Sequence, residues 1–141
     1  MSIVNMLPQT GGGDLKFTPC LNNQAGGTHS NGASNPSCSI TVPVSSPYGI
    51  VVCTSALAYD GSSISASDPT LTCSRTYAKL TSHGVSRQEP GSAGSLGVKV
   101  CAFLVTNPVA GDVYKATFQG SHSSTHWNAL SGISYIPVIE Q

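Results

Sequence analysis

The sequence predicts an all-β protein: an antiparallel two-sheet β-sandwich, Ig-like or jelly-roll, with seven or eight strands and an extended N-terminal arm. Three observations predict it. Apolar, β-branched runs recur about every ten residues, separated by Gly, Pro, Asp and Asn. The clearest unit is Val98 to Phe118, where two apolar runs flank Asn107-Pro-Val-Ala-Gly-Asp112 in the manner of a strand pair around a turn. No segment has a helical period, and Ser, Gly and β-branched residues, poor helix formers, dominate throughout.

The elements follow in order. Residues 1–39 read as an arm and loop, because glycines punctuate the stretch and apolar residues are sparse after Leu21. Its front end, Ile3, Val4, Met6 and Leu7, is apolar enough to anchor on a neighbouring subunit. Residues 40–141 read as the sandwich. Ser39 to Pro43 alternates at period 2 and ends at proline, a short strand. Ile50 to Tyr59 is a long apolar run suited to a central strand. Ile64 to Ser67 is a short strand that Asp68-Pro69 breaks. Thr70 to Ser74 and Thr76 to Ser82 are strands, and His83 to Gly97 reads as a loop. Leu96 to Thr106 and Asp112 to Gln119 form the strand pair. Trp127 to Val138 is the last strand, bent near Gly132.

Composition narrows the function. Only 9% of the 141 residues are charged and the formal charge is zero. Hydroxyls supply the missing polarity, and a hydroxyl is far less costly to bury against a neighbour than a charge. Lys16, Arg75, Lys79, Arg87, Lys99 and Lys115 are scattered, so no basic cluster exists to track phosphates and no nucleic-acid partner is expected. No run approaches the length of a transmembrane helix, and no membrane partner is expected. The N-terminus has neither the basic region nor the apolar run of a signal peptide, which predicts a protein that stays in the cytoplasm where it is made. Near-neutral charge favours association, as a dimer or trimer.

Cysteine number is odd, with no Cys-x-x-Cys, so neither a closed disulfide framework nor a zinc ribbon is indicated. Cys53 and Cys101 fall inside apolar strands and read as small core hydrophobes. Cys20 and Cys38 lie in the loop-rich segment, where a bridge between them is open.

Catalytic chemistry finds little support. His122 and His126 would adjoin on a helix, but on a strand they stand about 13 Å apart, at about 3.3 Å per residue. No third ligand is evident, and no metal or cofactor is expected. Gly91 to Gly97 approaches a nucleophile elbow but lacks the Gly-x-Ser-x-Gly spacing. Asp60, Asp68 and Asp112 neighbour Gly or Pro at turns, the ordinary station of aspartate. Gly11-Gly12-Gly13 lacks the Lys-Ser/Thr ending that phosphate binding requires. Phe103 and Phe118 read as core. Trp127, with His122 and His126, is a possible exposed ligand patch, against the plainer reading of a ring covering one end of the sandwich.

The order of elements carries a resemblance. A strand ending in Pro43 leads into Ile50-Val-Val-Cys-Thr-Ser55. A Ser-rich segment with an Asp turn (Ser62 to Asp68) and a polar strand (Thr76 to Thr81) follow. Then come the Asn107-Pro-Val-Ala-Gly111 turn between apolar strands and a closing Ala129-Leu-Ser-Gly-Ile133. Residues 40–136 thereby resemble a β-sandwich module found in phage structural proteins, capsid decoration and fibre proteins among them, and in bacterial surface proteins. The family's Gly-Asn corner after the Asp turn is absent; Pro69-Thr70 stands there. The resemblance implies display, cementing or adhesion and no catalysis. The expectation is a non-enzymatic virion structural protein, a phage capsid decoration (cement) protein assembled in the host cytoplasm. Its partner would be the major capsid or another virion protein. The alternative is a receptor- or glycan-binding adhesion module at a fibre tip, centred on His122, His126 and Trp127.

Overall fold

Alternation of apolar and polar residues builds strand after strand. The computed structural model describes residues 15–17, 25–30, 35–59, 64–88, 95–122 and 127–140. Among them stand nine strands and no helix: β1 (Leu15–Phe17), β2 (Ala25–Ser30), β3 (Ser37–Thr41), β4 (Tyr48–Tyr59), β5 (Ile64–Thr72), β6 (Tyr77–Gln88), β7 (Ser95–Thr106), β8 (Val113–His122) and β9 (Trp127–Glu140).

They form two antiparallel sheets. The large sheet runs β9-β4-β7-β6, with β1 and β2 both laid along the other edge of β9. The small sheet runs β3-β8-β5. From β3 onward only β6 and β7 are both consecutive and paired. Every other connection carries the chain from one sheet to the other, so the architecture is the predicted β-sandwich.

Several boundaries differ from expectation, each for a physical reason. The strands flanking Asn107–Asp112 form, but they are not a pair: β7 lies between β4 and β6, and β8 between β3 and β5. A hairpin is closed most tightly by two central residues. This six-residue link instead reaches across the roughly 10 Å that separates stacked sheets. It turns through two left-handed positions, Asn107 at φ 50° and Gly111 at φ 93°. Asp68-Pro69 does not end a strand. It is a bulge inside β5, where the register steps between Ser67 and Thr70. An edge strand tolerates proline because one side of its backbone needs no ladder partner.

The stretch His83 to Gly97 is not simply a loop, since β6 continues to Gln88 and β7 begins at Ser95. Gly84 fits within β6 because Lys99 Cδ and Val98 O lie 2.5 and 2.8 Å from where a Cβ would stand. β3 starts two residues earlier than the alternation suggested. Within the segment read as an arm, β1 and β2 pair with β9, and Cys38 on β3 is a free thiol, not half of a disulfide.

The core lies between the inner faces. Val51, Cys53, Cys101, Phe103, Val105, Ile133 and Tyr135 come from the large sheet; Cys38, Ile40, Leu71, Tyr114 and Ala116 come from the small one. Leu57, Phe118 and Ala129 form a second cluster. Cys53 and Cys101 face each other across β4 and β7, fully buried, as small hydrophobes. Two buried serines stitch the layers. Ser131 Oγ donates to Ala116 O (3.1 Å), and Ser55 Oγ accepts from Gln119 N (3.2 Å).

Candidate functional site

Of the residues singled out from sequence as candidate sites, the structure describes the strand positions of two. His122 ends β8 opposite Ile64, in the small sheet. Trp127 opens β9 opposite Tyr59, in the large sheet. His126 lies outside the described residues, as do Ile3, Val4, Met6 and Leu7. Among the described residues no three His, Cys, Asp or Glu side chains converge as metal ligands.

Among the described residues charged groups gather at two points, and at both they serve the scaffold. The loops at residues 42–47, 73–76 and 107–112 share one end of the sandwich. There Arg75 holds Asp112 in a two-pronged pair, Nε to Oδ2 at 2.7 Å and Nη2 to Oδ1 at 2.9 Å. The same carboxylate accepts from Val109 N (3.1 Å) and from Tyr114 OH (3.3 Å). Backbone bonds fasten the loops to one another, with Val42 N donating to Asp112 O (2.8 Å) and Asn107 N to Pro47 O (2.8 Å). The Arg75 guanidinium, helped by Val109 N, draws the Asp112 carboxyl down to about 2. A carboxylate so fully engaged is a poor general base.

The second point lies between the open edges of the sheets. Asp68, at the β5 bulge, accepts from Lys79 Nζ (2.7 Å) and Ser82 Oγ (2.6 Å) on β6, and pairs at 3.4 Å with Lys99 on β7. The bond from Lys79, then that from Ser82, holds Asp68 well below the usual carboxylate range. Tyr77 OH donates to Leu71 O (3.0 Å) and closes the same edge.

Nor do the thiols among the described residues supply a nucleophile. Burial raises Cys38, Cys73 and Cys101 above the ordinary thiol value and pushes Cys53 up to about 12, so each stays protonated at neutral pH.

The distinctive feature is a surface. Register and burial assign alternate residues of each strand to the inner or outer face. The outer face of the small sheet presents Ser39, Thr41, Thr72, Lys115, Thr117 and Gln119, as water-facing sheets do. The outer face of the large sheet is more apolar, although rows that carry Thr54, Thr81, His83 and Ser134 lie between its apolar rows. Cross-strand rows read Ile136, Ile50, Leu104, Ala78, and further along Leu130, Ala56, Val98, Val85. Tyr48, Ile50, Val52, Ala102, Leu104, Ile136 and Val138 form an apolar cluster there, in which Ile50 and Val138 are already buried within the chain and the others are partly buried. Beyond it Leu130, Leu96 and Val85 are 39%, 48% and 64% exposed. Among the described side chains, this face of β4, β7 and β9 carries no Lys, Arg, Asp or Glu.

By sequence alone these residues read as interior strand rather than as a surface. The signal was present in the unbroken runs Ile50-Val51-Val52 and Val100 to Val105. Such runs mark a strand covered on both faces. No family model matches the chain, and no curated protein or solved structure matches it either.

Proposed function

We propose that the chain is a non-enzymatic structural protein of a virus particle, a capsid decoration protein that docks on the shell through the outer face of its large sheet. The observation that carries the reading is the contrast between the two outer faces. A hydroxyl-rich outer face on the small sheet suits water, and an outer face on the large sheet that is more apolar, with no charge among the described side chains of β4, β7 and β9, suits burial against protein. The carboxylates at the loop end and at the open edge are committed to structural pairs, and the buried thiols are protonated, which supports a role without turnover. The resemblance of residues 40–136 to phage decoration and fibre modules supplies the kind of assembly.

The test is co-sedimentation of tagged chain with purified shells that lack it. Saturable binding with a fixed ratio to the shell protein is expected. A chain that stays in the supernatant at every concentration refutes the reading.

A further inference from the structure

We propose that a second copy of this chain adds to the edge of β6, antiparallel about a two-fold axis at Val85, so that two large sheets become one. The inference goes beyond the docking reading and does not rest on it, because it uses the backbone edge of β6 and not the outer face of β4, β7 and β9.

Exposure is the first argument. β6 ends the large sheet, and among the described residues no strand pairs with its far side. His83, Gly84 and Val85 are exposed, Val85 to 64%. Contrast with the other edges is the second. An unpaired edge invites further strands, and proteins blunt it with short strands, bulges, proline or charge. β3 has five residues, and β5 carries the Asp68-Pro69 bulge. The first half of β6 has its own irregularity between Lys79 and Thr81, and Tyr77, Lys79 and Ser82 tie it to β5. From Ser82 to Gln88 the pairing with β7 is regular, without proline, and only Arg87 carries a fixed charge. That half is left unguarded.

The phase of the hydrogen bonds is the third, and it names the occupant. Thr106 N donates to Thr76 O and Asn107 N to Pro47 O, so even residues of β7 bond to β6 and odd ones to β4. His83, Val85 and Arg87, opposite Val100, Val98 and Leu96, therefore commit their backbone groups to β7. Ser82, Gly84, Ser86 and Gln88 turn theirs outward, and these positions are symmetric about Val85. A two-fold axis there sets Gly84 against Ser86 of the second copy and Ser82 against Gln88, and each such pair exchanges two bonds. Val85 meets Val85 of the second copy, apolar against apolar, at the closer cross-strand spacing of about 4.5 Å between Cα atoms. Arg87 lies opposite His83 and not opposite itself.

Sedimentation velocity of the purified chain, over about 1 to 100 µM, reads this directly, since an edge contact is at the small end of specific interfaces. A dimer that forms within that range is expected. Val85→Lys and Val85→Glu should each weaken it at least about 10-fold, because each sets like charges face to face. Mixing the two variants should restore a dimer containing one of each, which only a register that places residue 85 against itself allows. Val85→Cys, under air oxidation, should give a dimer whose linked peptides join Cys at 85 to Cys at 85, the Cα spacing being within disulfide reach. Val113→Cys, on the small sheet and 58% exposed, should link much more slowly. Because Val85 is an exposed side chain, these variants should keep the parent Tm within a few degrees. A monomer at every concentration, a dimer indifferent to charge at 85, or linkage at 85 no faster than at 113 overturns the proposal. Shell binding by a monomeric chain would leave the docking reading standing, and a dimer that binds no shell would do the reverse.

Discussion

At the scale of single residues, two glycines are required for different reasons. Gly111 sits at φ 93° with nothing within 4 Å of an added Cβ, so only backbone conformation forbids a side chain. Gly49 has ordinary freedom but no room: a Cβ would stand 2.5 Å from Tyr135 Cε2 and 2.8 Å from its hydroxyl oxygen. That ring is fully buried, and its hydroxyl bonds Ser46 Oγ at 3.2 Å. Urea unfolding should show Gly111→Ala losing about 1–2 kcal/mol, with much of it recovered by Gly111→Asn, since asparagine visits the left-handed region. Gly49→Ala should lose about 1–3 kcal/mol by overpacking, and no residue larger than glycine should restore it.

The same scale sets the response to acid. Asp112 binds its proton near pH 2 in the folded chain, against an ordinary value of 3.8, and Asp68 is lowered in the same sense. A lowered folded pKa means that the unfolded chain takes up protons first as pH falls. The stability these carboxylates contribute is therefore complete above about pH 4 and is lost as pH falls toward 2. Thermal melts should show Tm dropping across that window, with a shallower drop in Asp112→Asn. A Tm that is flat from pH 5 to about 2 would contradict the role given to both pairs.

At the scale of elements, what holds the layers together is side-chain interlocking across the gap. Phe118 on β8 is fully buried with Leu57 on β4 and Ala129 on β9, so one ring joins the small sheet to two strands of the large one. Phe118→Ala should cost about 3–5 kcal/mol in denaturant unfolding, typical of a large aromatic removed from a core. Val113→Ala, at an exposed site on the same strand, should change little. This inward set was legible in the sequence. Phe103, Phe118, Cys53 and Cys101 were readable as core because alternation tells which side chains point together. Alternation does not tell which sheet a strand joins. Leu96 to Thr106 and Asp112 to Gln119 were readable as strands, but their separation between two sheets depends on the reach of the link between them. The Asp68-Pro69 bulge was hidden likewise. Proline forbids a central strand but permits an edge, and edge position is a property of the whole sheet.

At the scale of the whole molecule, the defining property is asymmetry between two outer surfaces. One outer face carries mostly hydroxyls and a lysine; the other is more apolar, with no charge among the described side chains of β4, β7 and β9. The composition hinted at this, since few charges must cover a large surface. Its location was not legible, because Val98, Val100 and Leu130 look like interior residues until register assigns them outward. Arg75, Asp112, Asp68, Lys79 and Lys99, readable one by one as turn aspartates and scattered cations, are paired across loops and edges that only the fold brings together. We propose that this side of the chain is covered within a larger particle. Cryo-electron microscopy of the native assembly tests that claim most directly. The large sheet's outer face should be found packed against protein, with Lys115, Thr117 and Gln119 turned to solvent. An assembly in which Val98 and Leu130 face open water would contradict it.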